Sequence, residues 1–277
     1  MIENISKLIL NGKKYACMTM DFEKDYGDRV GDFNILHDKK KLTELSKLFK
    51  KLQVPCTIFI QTNLLESFPR SFEILQLLGD DFHCHSHTHN TKVRNNSEEI
   101  IKSSEAFYKF FRYDPIGYRA PQGVYRDGDI EIIKSAGFKF TSSIFPSYRP
   151  GKFNNLSKPQ TPFFYKNGLL EIPFSVVPVI RYVISLSYIK LIGLGLNKVL
   201  YKIFGLPNIL IFDFHLHDLI INEVSFNKLP MSLKIAWGRN KYKGKDYFIN
   251  FVGLLKDQGY EFITVTQLYR LLQEEKH

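Results

Sequence analysis

The chain has 277 residues, 44% of them hydrophobic and 24% charged, the balance of an ordinary globular protein. That composition excludes wholesale disorder and a fibrous chain, and three widely spaced cysteines exclude a disulfide scaffold. The length suits one undivided α/β domain over residues 1–277. The net charge of +10 fits an anionic partner such as nucleic acid, membrane headgroups or a phosphorylated substrate, or simply a soluble basic surface.

In chain order, a strand is predicted over Tyr15 to Asp21. A helix follows over Lys40 to Leu52, where Leu42, Leu45, Leu48 and Phe49 recur at helical spacing. Val54 to Gln61 reads as a second strand, Ser71 to Leu78 as a helix, Asp81 to Cys84 as a short strand and Glu98 to Phe111 as a longer helix. Strands are then expected near Ile116 to Arg119, Phe138 to Ser142, Leu169 to Phe174 and Ile209 to His215, followed by a helix from Tyr247 to Gln258 and a last strand, Glu261 to Val265. This alternation implies a mainly parallel sheet, open or closed into a barrel. Cys17, Cys56 and Cys84 form no CxxC pair, so they read as core positions rather than a structural zinc site. Met1 to Leu8 lacks the apolar core of a signal peptide, and a cytoplasmic location is expected.

The stretch from Val176 to Phe214 is strongly apolar but interrupted by Arg181, Lys190, Lys198 and Lys202. It is too broken to span a bilayer. Two readings stand: a membrane-surface element, or a buried barrel helix with lysines snorkelling to solvent.

Three polar constellations fall where strands end, the edge that carries active sites in parallel α/β folds. The first is Thr19-Met20-Asp21-Phe22-Glu23, two carboxylates separated by one residue. The second, Asp81-Phe82-His83-Cys84-His85-Ser86-His87-Thr88-His89, places four of the eight histidines within seven residues. Imidazole is the commonest metal ligand near neutral pH, and His85 and His89 would share a face if the strand ran into a helical turn. The third is Asp213-Phe214-His215-Leu216-His217-Asp218, where a histidine can act as acid or base beside a carboxylate that tunes it. Trp237, with Arg239, could stack on a sugar ring, and Tyr26 and Asp28 could line the same cleft.

Taken in order, these motifs resemble the polysaccharide deacetylases of carbohydrate esterase family 4, the NodB-homology group. Thr19 and Asp21 are similar to the leading Thr and first Asp of T-F-D-D. His85-Ser86-His87-Thr88-His89 matches H-[ST]-x-x-H, and Arg119-Ala120-Pro121 matches R-x-P. Pro55 to Ile60 is similar to the family's second strand. Thr141 to Pro146 resembles the D-S-S-I-F-P segment of the exopolysaccharide-biosynthesis branch, and Glu171 to Ser175 with the His215 segment completes the set, which covers residues 15–270. Two positions depart: Phe22 stands where the second Asp is usual, and Thr141 replaces an Asp.

The resemblance implies a distorted (β/α)7-type barrel in one domain. It implies one divalent ion, zinc with cobalt, manganese or nickel as alternatives, held by His85, His89 and one carboxylate, either Glu23 with Asp21 as the base or the two acids the other way round. Arg119 would support Asp21, and His215 or His217 would be the general acid. Pro121, Tyr118 and Trp237 would contact substrate. The implied activity is removal of acetate from an N-acetylated amino sugar. Without a secretion signal, a cytoplasmic or lipid-linked intermediate is the expected substrate; the +10 charge and the Lys-studded apolar stretch fit peripheral contact with an anionic membrane face, and no nucleic-acid-binding motif is present. Two alternatives are a non-catalytic glycan- or partner-binding member of the fold, motivated by Phe22 and Thr141, and a PHP-type metal phosphoesterase, whose H-x-H motif His83-Cys84-His85 resembles.

Overall fold

A computed structural model describes residues 3–4, 12–79, 81–90, 97–126 and 128–274. The main elements are β1 (Lys14–Phe22), α1 (Lys39–Leu52), β2 (Cys56–Ile60), α2 (Pro69–Leu75), β3 (Asp81–Cys84), α3 (Ser97–Phe111), β4 (Gly117–Tyr118), α4 (Asp129–Ser135), β5 (Phe140–Thr141) and β6 (Leu170–Glu171). They continue with α5 (Leu186–Ile192), α6 (Leu194–Phe204), β7 (Ile209–His215), α7 (Leu216–Leu219), α8 (Met231–Gly238), α9 (Gly244–Asp257), β8 (Tyr260–Phe262) and α10 (Val265–Glu274).

The strands β6-β5-β4-β3-β2-β1-β7 pair in that order and all run parallel. β8 joins the first residues of β1, below the point where β2 begins to pair. Beyond β6, the Ser175 amide donates to the Ile211 carbonyl at 3.3 Å and its hydroxyl accepts from the Ile211 amide at 2.8 Å, so the chain after β6 reaches β7. The sheet is thus curled into a half-barrel, a distorted (β/α)7-type arrangement in a single domain.

Period-two alternation decides what each face carries. On β1, Ala16, Met18, Met20 and Phe22 point to the helices, while Tyr15 and Cys17 join Phe59, Phe140, Phe174 and Ile211 inside the barrel. Thr19 and Asp21 continue that inner row upward, as Asp213 and His215 continue the row that Ile211 starts on β7. The register sets Asp213 beside Thr19 and His215 beside Asp21. The interior is therefore apolar at its base and polar at the carboxyl edge. The three cysteines are buried and free.

Several expected strands are shorter than their sequence patterns. β4 and β5 each hold two residues, and β8 ends at Phe262 because Val265 begins a helix that the pattern reading did not resolve. The apolar stretch after Val176 divides into a hairpin (Val176–Val177 with Tyr182–Val183), α5, α6 and β7. Lys190 does not snorkel: it is 4% exposed and paired with Asp218. Among the described residues no helix is long and apolar enough to cross a membrane.

Candidate metal and acid–base site

At the carboxyl edge, Asp21 and Glu23 lie on one side of the chain and Phe22 on the other. Phe22 is buried against Phe72, with ring centroids 5.6 Å apart. Alternation thus accounts for the D-x-E spacing: a carboxylate at position 22 would face the core, and Glu23 reaches the cleft instead.

His85 directly follows β3, and His89 lies further along the same loop rather than in the helical turn anticipated from the spacing. Ser86 and His89 both take positive φ, 57° and 62°, the left-handed region that L-residues occupy at some cost. The turn is held by the Ser86 hydroxyl accepting from the His89 amide at 3.0 Å, and Thr88 is tied to Glu99 of α3 through its amide and hydroxyl, both at 2.7 Å. This geometry brings the His85 and His89 rings within 4.8 Å. His87 points away, its Nδ1 lying 3.1 Å from the Thr62 hydroxyl.

Glu23 Oε2 lies 3.0 Å from His89 Nε2 and 3.7 Å from His85 Nε2. Ligand atoms of Glu23, His85 and His89 all fall within 4.8 Å of one another. His85 Nδ1 is 3.0 Å from the Arg119 carbonyl, so Nδ1 carries the proton and Nε2 keeps its lone pair for the cleft, an orientation typical of a ligating imidazole. Two buried imidazoles and one carboxylate fit a borderline divalent ion with open positions left over. Glu23 would be raised by burial, but His89 and His85 outweigh that and hold its carboxyl well below the usual range.

A second group stands beside the first. Arg119 is 1% exposed and donates from Nη1 to Asp21 Oδ1 at 2.7 Å and to Asp213 Oδ1 at 3.0 Å. Its Nη2 reaches the Thr19 hydroxyl at 3.1 Å, and its Nε donates to the Ser142 carbonyl at 2.9 Å. The guanidinium is thereby fixed in plane. Burial alone would raise Asp21, but Arg119, His85 and His215 prevail and keep it below its ordinary value. His215 Nε2 lies 3.7 Å from Asp21 Oδ2 and 3.5 Å from Glu23 Oε1, and its Nδ1 faces Asp213 at 3.8 Å and Asp218 at 3.7 Å. Burial opposes its charge, yet those carboxylates raise its pKa well above the ordinary value. Asp213 is pushed up to about 7, first by burial and then by the charge of Asp21.

His217, the other expected acid, is stacked behind His215 with ring centroids 4.9 Å apart and packs at a tilt on Tyr26 at 4.4 Å. Burial pushes its pKa down to about 3, so its ring is neutral near pH 7, unlike that of His215. Tyr118 does not reach the cleft. Arg119 points inward, so its neighbour on β4 points outward, where Tyr118 is 2% exposed and packs on Phe138. Pro121 is buried at the start of a 3-10 turn, and the cleft is lined by its neighbours Ala120, Gln122 and Gly123. Trp237 does line the cleft, stacked on Tyr26 with centroids 5.4 Å apart and planes 25° from parallel. Asp28 lies in a short 3-10 turn, Gly27–Arg29.

His83, the other histidine of the H-x-H motif, lies inside the barrel. Its Nε2 is 3.2 Å from Asp81 Oδ1 and 3.2 Å from the Thr266 hydroxyl. Among the described residues no convergent donor group includes it, so His83 and His85 do not form the paired ligands that a PHP-type phosphoesterase requires. Asp213 was quoted in the third motif without a role of its own. Its signal was there: it lies two residues before His215, hence on the same strand face. Thr141 leaves no gap, because Glu171, its register partner on β6, fills the space and accepts from the Tyr125 hydroxyl and from the Ser143 and Ile144 amides at 2.8 to 2.9 Å.

Residues 14–141 match the Polysaccharide deacetylase family, a span that holds Asp21, Glu23, His85, His89 and Arg119. A peptidoglycan deacetylase of Helicobacter pylori is 25% identical over 107 residues, 37% of this chain and 36% of that protein. The match therefore spans about a third of the curated relative's length. Two solved structures share the fold across nearly the whole chain. One, from Mycobacterium smegmatis and described as a polysaccharide deacetylase, has a TM-score of 0.62 at 14% identity, covering 96% of this chain and 92% of that one. Another, from Pseudomonas aeruginosa and described likewise, has a TM-score of 0.61 at 13% identity, covering 96% and 93%.

Proposed function

We infer that this chain, whose residues 14–141 match the Polysaccharide deacetylase family, is a metal-dependent N-deacetylase of an N-acetylated amino sugar. The observation that carries the reading is the adjacency of two groups: a ligand set of Glu23, His85 and His89, and an acid–base pair of Asp21 and His215 beside it. A non-catalytic glycan binder would gain nothing from a carboxylate held ionised and a histidine held protonated across one cleft.

Glu23, His85 and His89 would hold one divalent ion, zinc by the chemistry of the donors. When bound, such an ion polarises the acetamide carbonyl and makes water a better nucleophile. Asp21, kept ionised by Arg119, takes the proton from the attacking water as its oxygen bonds to the acetyl carbon. His215, kept protonated by the surrounding carboxylates, delivers a proton to the sugar nitrogen as the C–N bond breaks. Acetate and a free amino sugar result. Trp237 and Tyr26 offer an aromatic wall for the pyranose ring.

We place the substrate among lipid-linked or nucleotide-linked intermediates of surface-polysaccharide synthesis, the exopolysaccharide branch, at the inner face of the cytoplasmic membrane. Supporting this, Arg29 and Arg149 line the same cleft and are exposed, which suits a substrate carrying phosphate. The test is acetate release from N-acetyl sugars by metal-reconstituted protein, with neutral oligosaccharides and sugar diphosphates compared. Release from any of them, abolished by Asp21→Asn, supports the reading. No release from either class, with the ion bound, refutes it.

A further inference from the structure

In a globular protein the apolar stripe of a surface helix faces inward. α6 has apolar side chains on both sides: Leu194, Tyr201 and Phe204 pack on the core, and a second apolar row faces outward. Its buried residues are Asn197 and Tyr201, the Tyr201 hydroxyl donating to Asn197 Oδ1 at 3.2 Å. Leu196, Val199 and Ile203, spaced to lie along one side, are 52%, 50% and 65% exposed. Lys198 and Lys202 are exposed among them. Both line a groove that also holds Asp257 of α9, and among the described residues neither lysine forms an ion pair.

The same character extends to the elements around α6. Its neighbour in the fold is the hairpin of Val176–Val177 and Tyr182–Val183, with Val179 in its turn 81% exposed. α5 packs against both α6 and α8, and α8 exposes Met231 and Ile235. From residue 172 to residue 212 the chain has no Asp or Glu. Exposed apolar side chains are unremarkable singly, but a stripe interleaved with unpaired lysines on a segment without acids marks an interaction surface.

We propose that the outer face of α6, with the adjoining hairpin turn, docks on an anionic lipid bilayer. Charge complementarity selects this occupant. Lysines spaced along an apolar stripe match phosphate headgroups over acyl chains. A symmetric contact with a second copy would instead set Lys198 and Lys202 near their own counterparts. The helix is too short to cross the membrane and would lie in its surface. α6 follows directly on α5, whose Ser187 lines the catalytic cleft, so one short helix links the docking face to the cleft. The purpose of the surface rests on the lipid-linked substrate reading; its detection does not.

The experiment is cosedimentation of the full chain with phosphatidylcholine vesicles, with and without phosphatidylglycerol, at low and high salt. Wild type should sediment with the anionic vesicles only and be released by salt. One variant carries Leu196→Ser, Val199→Ser and Ile203→Ser; another carries Lys198→Glu and Lys202→Glu. Each should weaken partitioning about tenfold or more, with circular dichroism confirming the fold. Wild type remaining in the supernatant at low salt would overturn the proposal, as would serine substitutions that leave partitioning unchanged. So would a vesicle-free dimer that the serine variant abolishes, since the face would then be a protein interface. Vesicle binding without acetate release would sink the deacetylase reading and leave the docking surface standing, and the converse result would do the opposite.

Discussion

Asp21 and Asp213 share one nitrogen of Arg119: Nη1 donates to both carboxylates, at 2.7 and 3.0 Å. The two acids differ in state although both are buried. Asp21 is held below its ordinary value, whereas Asp213 is pushed up to about 7. One guanidinium cannot neutralise two adjacent carboxylates, so the proton is retained by the one with less support. His215 faces both acids, but His85 faces Asp21 alone, with Nε2 3.6 Å from its carboxylate, and this added cation favours ionisation there.

The first prediction concerns Asp213→Asn, which preserves shape. Asp213 is the first of the carboxylates that raise His215, and above about pH 7 it is mostly charged. Removing that charge lowers the pKa of the acid, so the alkaline limb of kcat/KM should move to lower pH. A shift of about one unit is expected, with the acid limb set by Asp21 little changed. The pH–rate profile measures it; an unmoved alkaline limb would remove Asp213 from the proposed mechanism.

The two acids of the D-x-E motif should separate on metal content. Glu23→Gln should weaken metal retention by an order of magnitude or more, as His85→Ala should, because both remove a donor. Asp21→Asn should keep the metal and lose about 10²–10⁴-fold in kcat, the usual contribution of a general base. Elemental analysis per chain, alongside single-turnover rates, distinguishes the roles. If Asp21→Asn lost the metal and Glu23→Gln kept it, the assignments would be reversed.

Lys190 is predicted to matter to the site without touching it. It pairs with Asp218 at 3.1 Å, and Asp218 in turn accepts from the His215 amide at 3.1 Å and the Ser187 hydroxyl at 2.9 Å. Lys190→Ala would leave the buried Asp218 carboxylate with the His215 ring as its remaining cation, a loss of up to about 3–5 kcal/mol by analogy with other buried pairs. Lys190→Ala combined with Asp218→Asn should recover part of that. Urea denaturation of the single and double variants tests the coupling; equal stability of the two would mean that the pair is not energetically linked.

How far the sequence carried can be judged at these residues. The inner row on β1 and β7 was legible because alternation and motif order agree: Asp21, Glu23 and His215 fall on faces that period two assigns. His85 and His89 were legible as a pair, but their convergence comes from left-handed turns at Ser86 and His89, which no propensity favours. Tyr118 was misplaced because a motif was read as a block, whereas on a strand only alternate members face the cleft. Lys190 was misread because burial of a lysine depends on a partner 28 residues away, Asp218, and local hydropathy does not contain that information. The outward apolar row of α6 was legible only as one of two readings of the stretch, because the periodicity is helical whichever face is buried.

Glu171 provides the last prediction, on stability rather than rate. Burial pushes its carboxyl up to about 7, against the opposing hydrogen bonds from the Ile144 and Ser143 amides and the Tyr125 and Tyr165 hydroxyls. A carboxyl raised in the folded state binds its proton more tightly there than in the unfolded chain. Its contribution is therefore fully present below the unfolded value near 4.5 and is lost as pH rises through about 7. Over that window the wild type should lose stability relative to Glu171→Gln, whose amide cannot titrate, by about 1 kcal/mol per pH unit. Melting temperatures of both proteins at intervals from pH 4.5 to 7.5 would show their difference changing steadily across the window. A constant difference would mean that Glu171 stays ionised throughout and that its four donors outweigh its burial.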